Sequence, residues 1–237
     1  MRRSLVNFAT AVAVMALCAV AMSLAGCNGE AEHGPPAPPS VQAPPATVAP
    51  VATGAAPEVS PASVPRAALP FRADLIRTAR VVWGMQAPIA AFAGQLHQES
   101  GWRPDAVSKA GAAGLAQFMP ATSKWIAGLD PQLQANQPFN TAWAMRALVT
   151  YDQWLFERTP AGYSRRDRMW VALRAYNGGL GHWQAEARNA ASPARADVDA
   201  ACGTARRARS HCKENLGYPE RILVVLQPRY ASWGAGV

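Results

Sequence analysis

Two features predict a predominantly helical, all-α fold for residues 71–237. Apolar side chains recur every three to four positions between recognisable caps, and no stretch reads as a convincing strand or an internal repeat. Val81-Val82 and Val224-Val225 are β-branched, but both pairs sit in a helical-period context. The first helix is expected over 73–83. The second runs over 88–99 with Pro88 in its first turn, where a missing N–H costs nothing. Ile89, Phe92, Ala93 and Leu96 share one face of it, and Glu99, three residues on, continues that face inward before Gly101 and Pro104 end the helix. Residues 111–118 are small and predict a short, closely packed helix. Pro120 opens another, which stops before Asp130-Pro131.

Asn140 is placed to cap a long helix over 141–157, whose Trp143, Met145, Leu148, Tyr151, Trp154 and Leu155 form a broad apolar stripe. After the turn at 159–162, Ser164 can cap a helix over 165–177, with Met169, Ala172, Leu173 and Tyr176 on one face. Gly178-Gly179 closes it. A short segment around His182-Trp183, a cysteine-bearing loop and a last helix from Pro219 through Leu226 complete the domain.

The N-terminal part of the chain differs in kind. Met1-Arg2-Arg3 followed by a long apolar run is a secretory signal, not part of the fold. It ends in Leu24-Ala25-Gly26-Cys27, which resembles a bacterial lipoprotein box, so cleavage after residue 26 would expose Cys27 for lipidation. An ordinary signal peptide or a retained anchor are the alternatives. Residues 28–70 hold 11 of the 20 prolines and no aromatic residue, whereas all eight tryptophans lie beyond them. Such a stretch cannot build a core and reads as a disordered, semi-rigid tether, reaching on the order of 100 Å when extended. The expected organisation is therefore a signal at 1–26, a tether at 27–70 and a folded domain at 71–237.

Net charge is +8. Residues 1–26 hold two arginines and no acid, so without them the chain keeps 21 basic and 15 acidic residues, a formal +6. A basic surface on an exported protein suits anionic wall polymers and membranes. No dense basic helix or recognition motif supports a nucleic-acid partner. Outside the signal and Cys27, Cys202 and Cys212 remain. In an exported domain they read as a disulfide closing a loop of about ten residues, worth about 2–3 kcal/mol. A zinc pair with His211 is the alternative, but it lacks a four-ligand set at suitable spacing.

Glu99 is the residue the chemistry points to. At a helix C-terminus the dipole disfavours a negative charge, and inward burial raises a carboxyl pKa. Those conditions make a proton donor at neutral pH. Glu99-Ser100, Ser108, Gly111-Ala112, Gly114-Leu115-Ala116-Gln117-Phe118-Met119-Pro120, Thr122 and the later Ala175-Tyr176-Asn177-Gly178-Gly179 together resemble the soluble-lytic-transglycosylase-like (SLT) domain. This family, in the goose-lysozyme and lysozyme-like superfamily, cleaves the glycan strands of bacterial peptidoglycan. The blocks occur in the family's order, and the resemblance covers roughly 71–237.

The resemblance implies a lytic transglycosylase that uses one glutamate, matched by Glu99, to form 1,6-anhydromuramyl products. It implies that Ser100 orients the glutamate or contacts substrate, with simple helix capping as the alternative. Gln117 would hydrogen-bond the sugar, Tyr176 would bring its hydroxyl toward the glutamate, and Asn177 would line the substrate site. Ala116 departs from the family, which usually has methionine there; the smaller side chain should widen the groove wall. Trp102, Trp125 and above all Trp183 are candidates for stacking on sugar faces.

No cofactor or metal is expected. The expected partners are peptidoglycan strands, a membrane reached through the lipid anchor, and cell-wall or secretion machinery, with the chain itself a monomer. Asn28 after Cys27 points, by resemblance to the usual sorting pattern, to the outer rather than the inner membrane for this exported, periplasmic chain. A hydrolytic muramidase using Asp105 or Asp130 as a second carboxylate, and a non-catalytic glycan-binding scaffold, are the competing readings.

Overall fold

The computed structural model describes residues 63–237. The signal, Cys27 and most of the tether lie outside the described residues. A 3₁₀ turn at Arg66–Phe71 leads into α1 (Arg72–Trp83), and α2 (Ile89–Ser100) and α3 (Pro120–Ile126) follow. Next come α4 (Thr141–Glu157), α5 (Arg165–Gly178), α6 (Leu180–Arg188), α7 (Arg195–Ala200) and α8 (Cys212–Glu220). The chain then winds on through a π-helical segment, Arg221–Leu226, and a 3₁₀ stretch, Gln227–Trp233. Among the described residues the only β pairing is two isolated bridges, Val107 with Ala113 and Ala113 with Phe118. The predicted all-α class holds.

The helix α2 is central. The periodicity predicted one inward face, but every residue from Ile89 to Leu96 is buried. Helix α2 is enclosed by the π-helical segment and the C-terminal 3₁₀ stretch. Gly94 permits this: a Cβ there would stand 3.2 Å from the Gln227 backbone N and 3.3 Å from the Ile222 carbonyl. Helix α4 packs on α1 and α5, and α5 packs in turn on α6 and α8. Burying a leucine or phenylalanine such as Leu96, Leu148 or Phe92 contributes about 1.5–3 kcal/mol.

The predicted caps are where expected. Asn140 Oδ1 accepts from the Trp143 N–H at 3.0 Å, and Ser164 Oγ accepts from the Asp167 N–H at 3.1 Å. Two expectations need correction. Residues 111–118 are not helical but form a looped segment closed by the two bridges. Gly111, Gly114 and Gln117 all have positive φ, which an α-helix of L-residues excludes. Gly114 has a φ of +75° and its Cβ would fall 1.9 Å from the Pro138 carbonyl oxygen. Only glycine fits there.

The second correction concerns Pro219. It does not begin the last helix but lies inside α8, just before the winding changes to π. Proline lacks the N–H an α-helix needs, and a wider turn accommodates the missing bond. The residue preceding it is Tyr218.

Candidate active site

Glu99 sits in the last turn of α2, which ends on Gly101 in the left-handed conformation. It keeps only part of its surface in solvent. The Tyr218 hydroxyl, from α8, donates to Glu99 Oε1. Loss of water pushes the Glu99 carboxyl up to about 8; the Tyr218 hydrogen bond pulls it back, and the Glu214 charge pushes it further up. Burial raises the Tyr218 hydroxyl well above the ordinary tyrosine range, so it remains a donor at neutral pH. The carboxyl therefore holds its proton where an exposed glutamate is ionised.

Tyr176, from α5, stacks on Tyr218 with ring centroids 6.4 Å apart and planes 9° from parallel. Its hydroxyl donates to the Ala116 carbonyl at 2.7 Å, and the Glu99 charge acts on it. That bond ties α5 to the looped segment next to Gln117. The Gln117 Nε2 donates to the Ala106 carbonyl at 3.0 Å and to the Gly114 carbonyl at 2.8 Å. Its Oε1 is therefore the amide atom left for a ligand. Ala116 is fully buried. Asn177 reaches α8: its Nδ2 donates to Glu214 Oε1 at 3.5 Å, and its Oδ1 accepts from Asn215 Nδ2 at 3.0 Å. Glu99, Tyr218, Tyr176, Gln117 and Asn177 thus lie along one connected set of contacts from α2, α8, α5 and the looped segment.

Ser100 is buried and turned to the backbone. Its hydroxyl donates to the Leu96 carbonyl at 3.4 Å and accepts the Arg103 N–H at 3.2 Å. These are capping contacts, and they place Ser100 behind Glu99. The stacking expectation for Trp183 is corrected: the residue is 5% exposed, on α6 within the core, and a buried indole has no face to offer a sugar. Trp102 is buried too, its Nε1 donating to the Tyr230 hydroxyl at 2.7 Å. Trp125 is half-buried and packs edge-on against Trp154 and Tyr151.

The carboxylates weighed as second catalytic groups have other surroundings. Asp105 is exposed. Asp130 pairs with Arg146 at 2.6 Å and caps a 3₁₀ turn through the Gln132 N–H. Glu214 is an acid whose charge raises the Glu99 carboxyl; sequence reasoning missed it along with Tyr218. Nothing in the spacing marks either one; only the packing of α8 against α5 and the end of α2 brings them in.

Beneath Asn177 lies a buried ion network. Arg174 bonds Glu186 Oε2 and Asp199 Oδ1, each at 2.7 Å, and Arg207 bonds Glu186 Oε1 at 2.8 Å. Cys202 and Cys212 flank it at disulfide distance, their Cα atoms 5.9 Å apart. Glu186 and the two sulfurs form a cluster of possible metal-ligand atoms. The Glu186 oxygens, however, are already spent on two arginines and the Gly203 N–H.

Residues 86–198 match the family model described as the transglycosylase SLT domain. Among curated relatives, the membrane-bound lytic murein transglycosylase F of Maricaulis maris is 37% identical over 91 residues, 38% of this chain and 18% of the relative. The protein of the same description from Shewanella denitrificans is 35% identical over 104 residues, 44% of this chain and 19% of the relative. The match thus spans about a fifth of these relatives' length. The 70 kDa soluble lytic transglycosylase SLT70 of Escherichia coli superposes with a TM-score of 0.51 at 21% identity. That superposition covers 69% of this chain and 25% of the other, a likeness of fold. Glu99, Gln117, Tyr176 and Asn177 fall inside the matched segment, and Tyr218 and Glu214 beyond it. Over residues 86–198 the chain is thus similar to the transglycosylase SLT domain, and its fold is similar to that of a soluble lytic transglycosylase.

Proposed function

We propose that this protein is a peptidoglycan lytic transglycosylase with Glu99 as its single acid and base. The observation that carries this reading is a largely buried carboxyl at the end of α2, hydrogen-bonded by Tyr218, whose ring stacks on Tyr176, which in turn bonds the Ala116 carbonyl beside Gln117; burial raises that carboxyl to about 8. Protonated Glu99 gives its proton to the glycosidic oxygen between N-acetylmuramic acid and N-acetylglucosamine, and the C1–O bond breaks. The substrate's acetamido oxygen stabilises the developing cation at C1. Glu99, now a carboxylate held by the Tyr218 hydroxyl, takes the proton from the muramyl C6 hydroxyl as that oxygen bonds C1. The product is a 1,6-anhydromuramyl end, and Glu99 is again protonated. An internal nucleophile needs no second carboxylate to orient water, since the hydroxyl is already tethered to the reacting sugar. Gln117 Oε1 and Asn177 are assigned to the sugar, and Ser100 to holding the turn behind Glu99.

The same reading makes 71–237 the catalytic domain and Cys202–Cys212 a disulfide. It makes the chain an exported, periplasmic lipoprotein anchored through Cys27 in the outer membrane. Among the described residues no helix is long and apolar enough to cross a membrane, and the relatives are described as membrane-bound.

The test is a digest of purified peptidoglycan with the protein and with Glu99→Gln, product masses being read before and after borohydride reduction. Fragments one water lighter than hydrolysed muropeptides, unchanged by borohydride and absent with the variant, are the expected result. Reducible fragments would make it a muramidase, and glycan binding without fragments would make it a scaffold.

A further inference from the structure

One turn before Glu99 on α2, the core holds a polar pair that the proposed chemistry does not use. Gln95 and Asp152, from α2 and α4, are both fully buried. Gln95 Nε2 donates to Asp152 Oδ1 at 3.4 Å. The other two atoms of these side chains, Gln95 Oε1 and Asp152 Oδ2, are buried without any partner. Among the described residues no lysine, arginine or histidine pairs with Asp152. An ionised carboxylate so placed has one weak hydrogen bond and an unpartnered oxygen, which is an untenable way to bury a charge. Two orphaned acceptors belonging to two side chains already in contact have one simple remedy, a proton between them.

We propose that Asp152 is an uncharged carboxylic acid whose Oδ2–H donates to Gln95 Oε1, closing a cyclic acid–amide pair that positions Glu99 by locking α2 to α4. The pair consumes both orphaned atoms and leaves each side chain donating once and accepting once. Burial raises the Asp152 carboxyl well above the usual range, against the pull of the Gln95 hydrogen bond, and the Glu99 charge adds to the rise. The titratable groups that bear on Asp152 are Glu99 on α2, Tyr151 beside it on α4, Tyr176 on α5 and Tyr218 on α8.

The consequence for the site rests on Glu99 being the acid and base proposed above. Midway through the reaction Glu99 must carry a negative charge in a poorly solvated pocket. A neutral Asp152 adds no second charge against it, while the pair holds the helix turn from which Glu99 projects. At alkaline pH the Asp152 proton is lost, the acid–amide pair becomes two facing acceptors, and the α2–α4 contact loosens.

Infrared spectra of the full chain at pH 7 test the pair without reference to activity. Glu99→Gln removes the other protonated carboxyl, so the protonated-acid C=O band that remains belongs to Asp152. That band should vanish in Glu99→Gln/Asp152→Asn, and no such band in the single variant would overturn the proposal. The positioning role is read on wall digestion. Asp152→Ala should lower turnover roughly tenfold or more. Asp152→Asn, which can form the same two hydrogen bonds without a titratable proton, should recover most of it. Asp152→Asn should also make the alkaline fall of activity shallower. A folded Asp152→Asn as inactive as Asp152→Ala would overturn the role by showing that a charge is needed. Should the wild type digest nothing, the infrared arm still decides the pair, and only the reading of Glu99 falls.

Discussion

The Tyr218 hydroxyl donates to Glu99 Oε1, joining the end of α2 to α8 at the point where Pro219 interrupts regular winding. The bond favours the charged carboxylate and so opposes the effect of burial on Glu99. In the proposed mechanism it would serve the half of the reaction in which Glu99 has given up its proton. Tyr218→Phe should therefore lower turnover by about 10- to 100-fold, the worth of a hydrogen bond to a charged group. The alkaline limit of activity should move upward, because the carboxylate has lost a stabilising donor. Steady-state rates against pH on solubilised glycan strands check both.

The wild-type pH profile follows from the same carboxyl. In the proposed mechanism Glu99 acts first as an acid, so activity should be present below about 8 and lost as pH rises through it. Glu214 raises the Glu99 carboxyl by like-charge repulsion. Glu214→Gln should shift the alkaline limb to lower pH, by a fraction of a unit. A shift the other way would mean that Glu214 reaches Glu99 through something other than its charge.

Stability carries the signature with a definite sign. Glu99 ionises near 4.5 when unfolded and near 8 when folded. Between these values the folded state keeps a proton that the unfolded state releases. The contribution of this group is thus full below about 4.5 and declines as pH rises through 8. Glu99→Gln removes that decline. The variant should be equal to the wild type at pH 4 and more stable at pH 8, by roughly 1–3 kcal/mol. Urea unfolding at the two pH values measures it.

Much of this arrangement is legible in the chain. Asn140 and Ser164 cap where their neighbours' periodicity requires, and the inward register of Glu99 follows from Leu96 three residues before it. The looped segment at 111–118 misleads because its small residues satisfy a helical composition while their positive φ values forbid the helix. Trp183 misleads for a similar reason: proximity in sequence to Tyr176 says nothing about which face of α6 it occupies. Tyr218, Glu214 and the Gln95–Asp152 pair are invisible in the sequence. Each is defined by a contact between helices far apart in the chain, and no local pattern distinguishes a tyrosine against a catalytic acid from one against a leucine.

The ion network below the site is structural and should behave so. Arg174 is fully buried between Glu186 and Asp199, with Asn215 on its Nε. Arg174→Ala leaves Glu186 with one partner fewer and strips Asp199 of a buried guanidinium. The expected cost is about 3–5 kcal/mol in urea unfolding. A loss of less than about 1 kcal/mol would mean the network relaxes into solvent.

The central claim is that the C6 hydroxyl of the muramyl sugar, and not water, supplies the oxygen that replaces the leaving group at C1. Digestion of peptidoglycan in water enriched in heavy oxygen tests this most directly. Anhydromuramyl products of unshifted mass, with no label at C1, are the expected result. Products carrying one heavy oxygen at a reducing C1 would contradict it and make Glu99 the acid of a hydrolase.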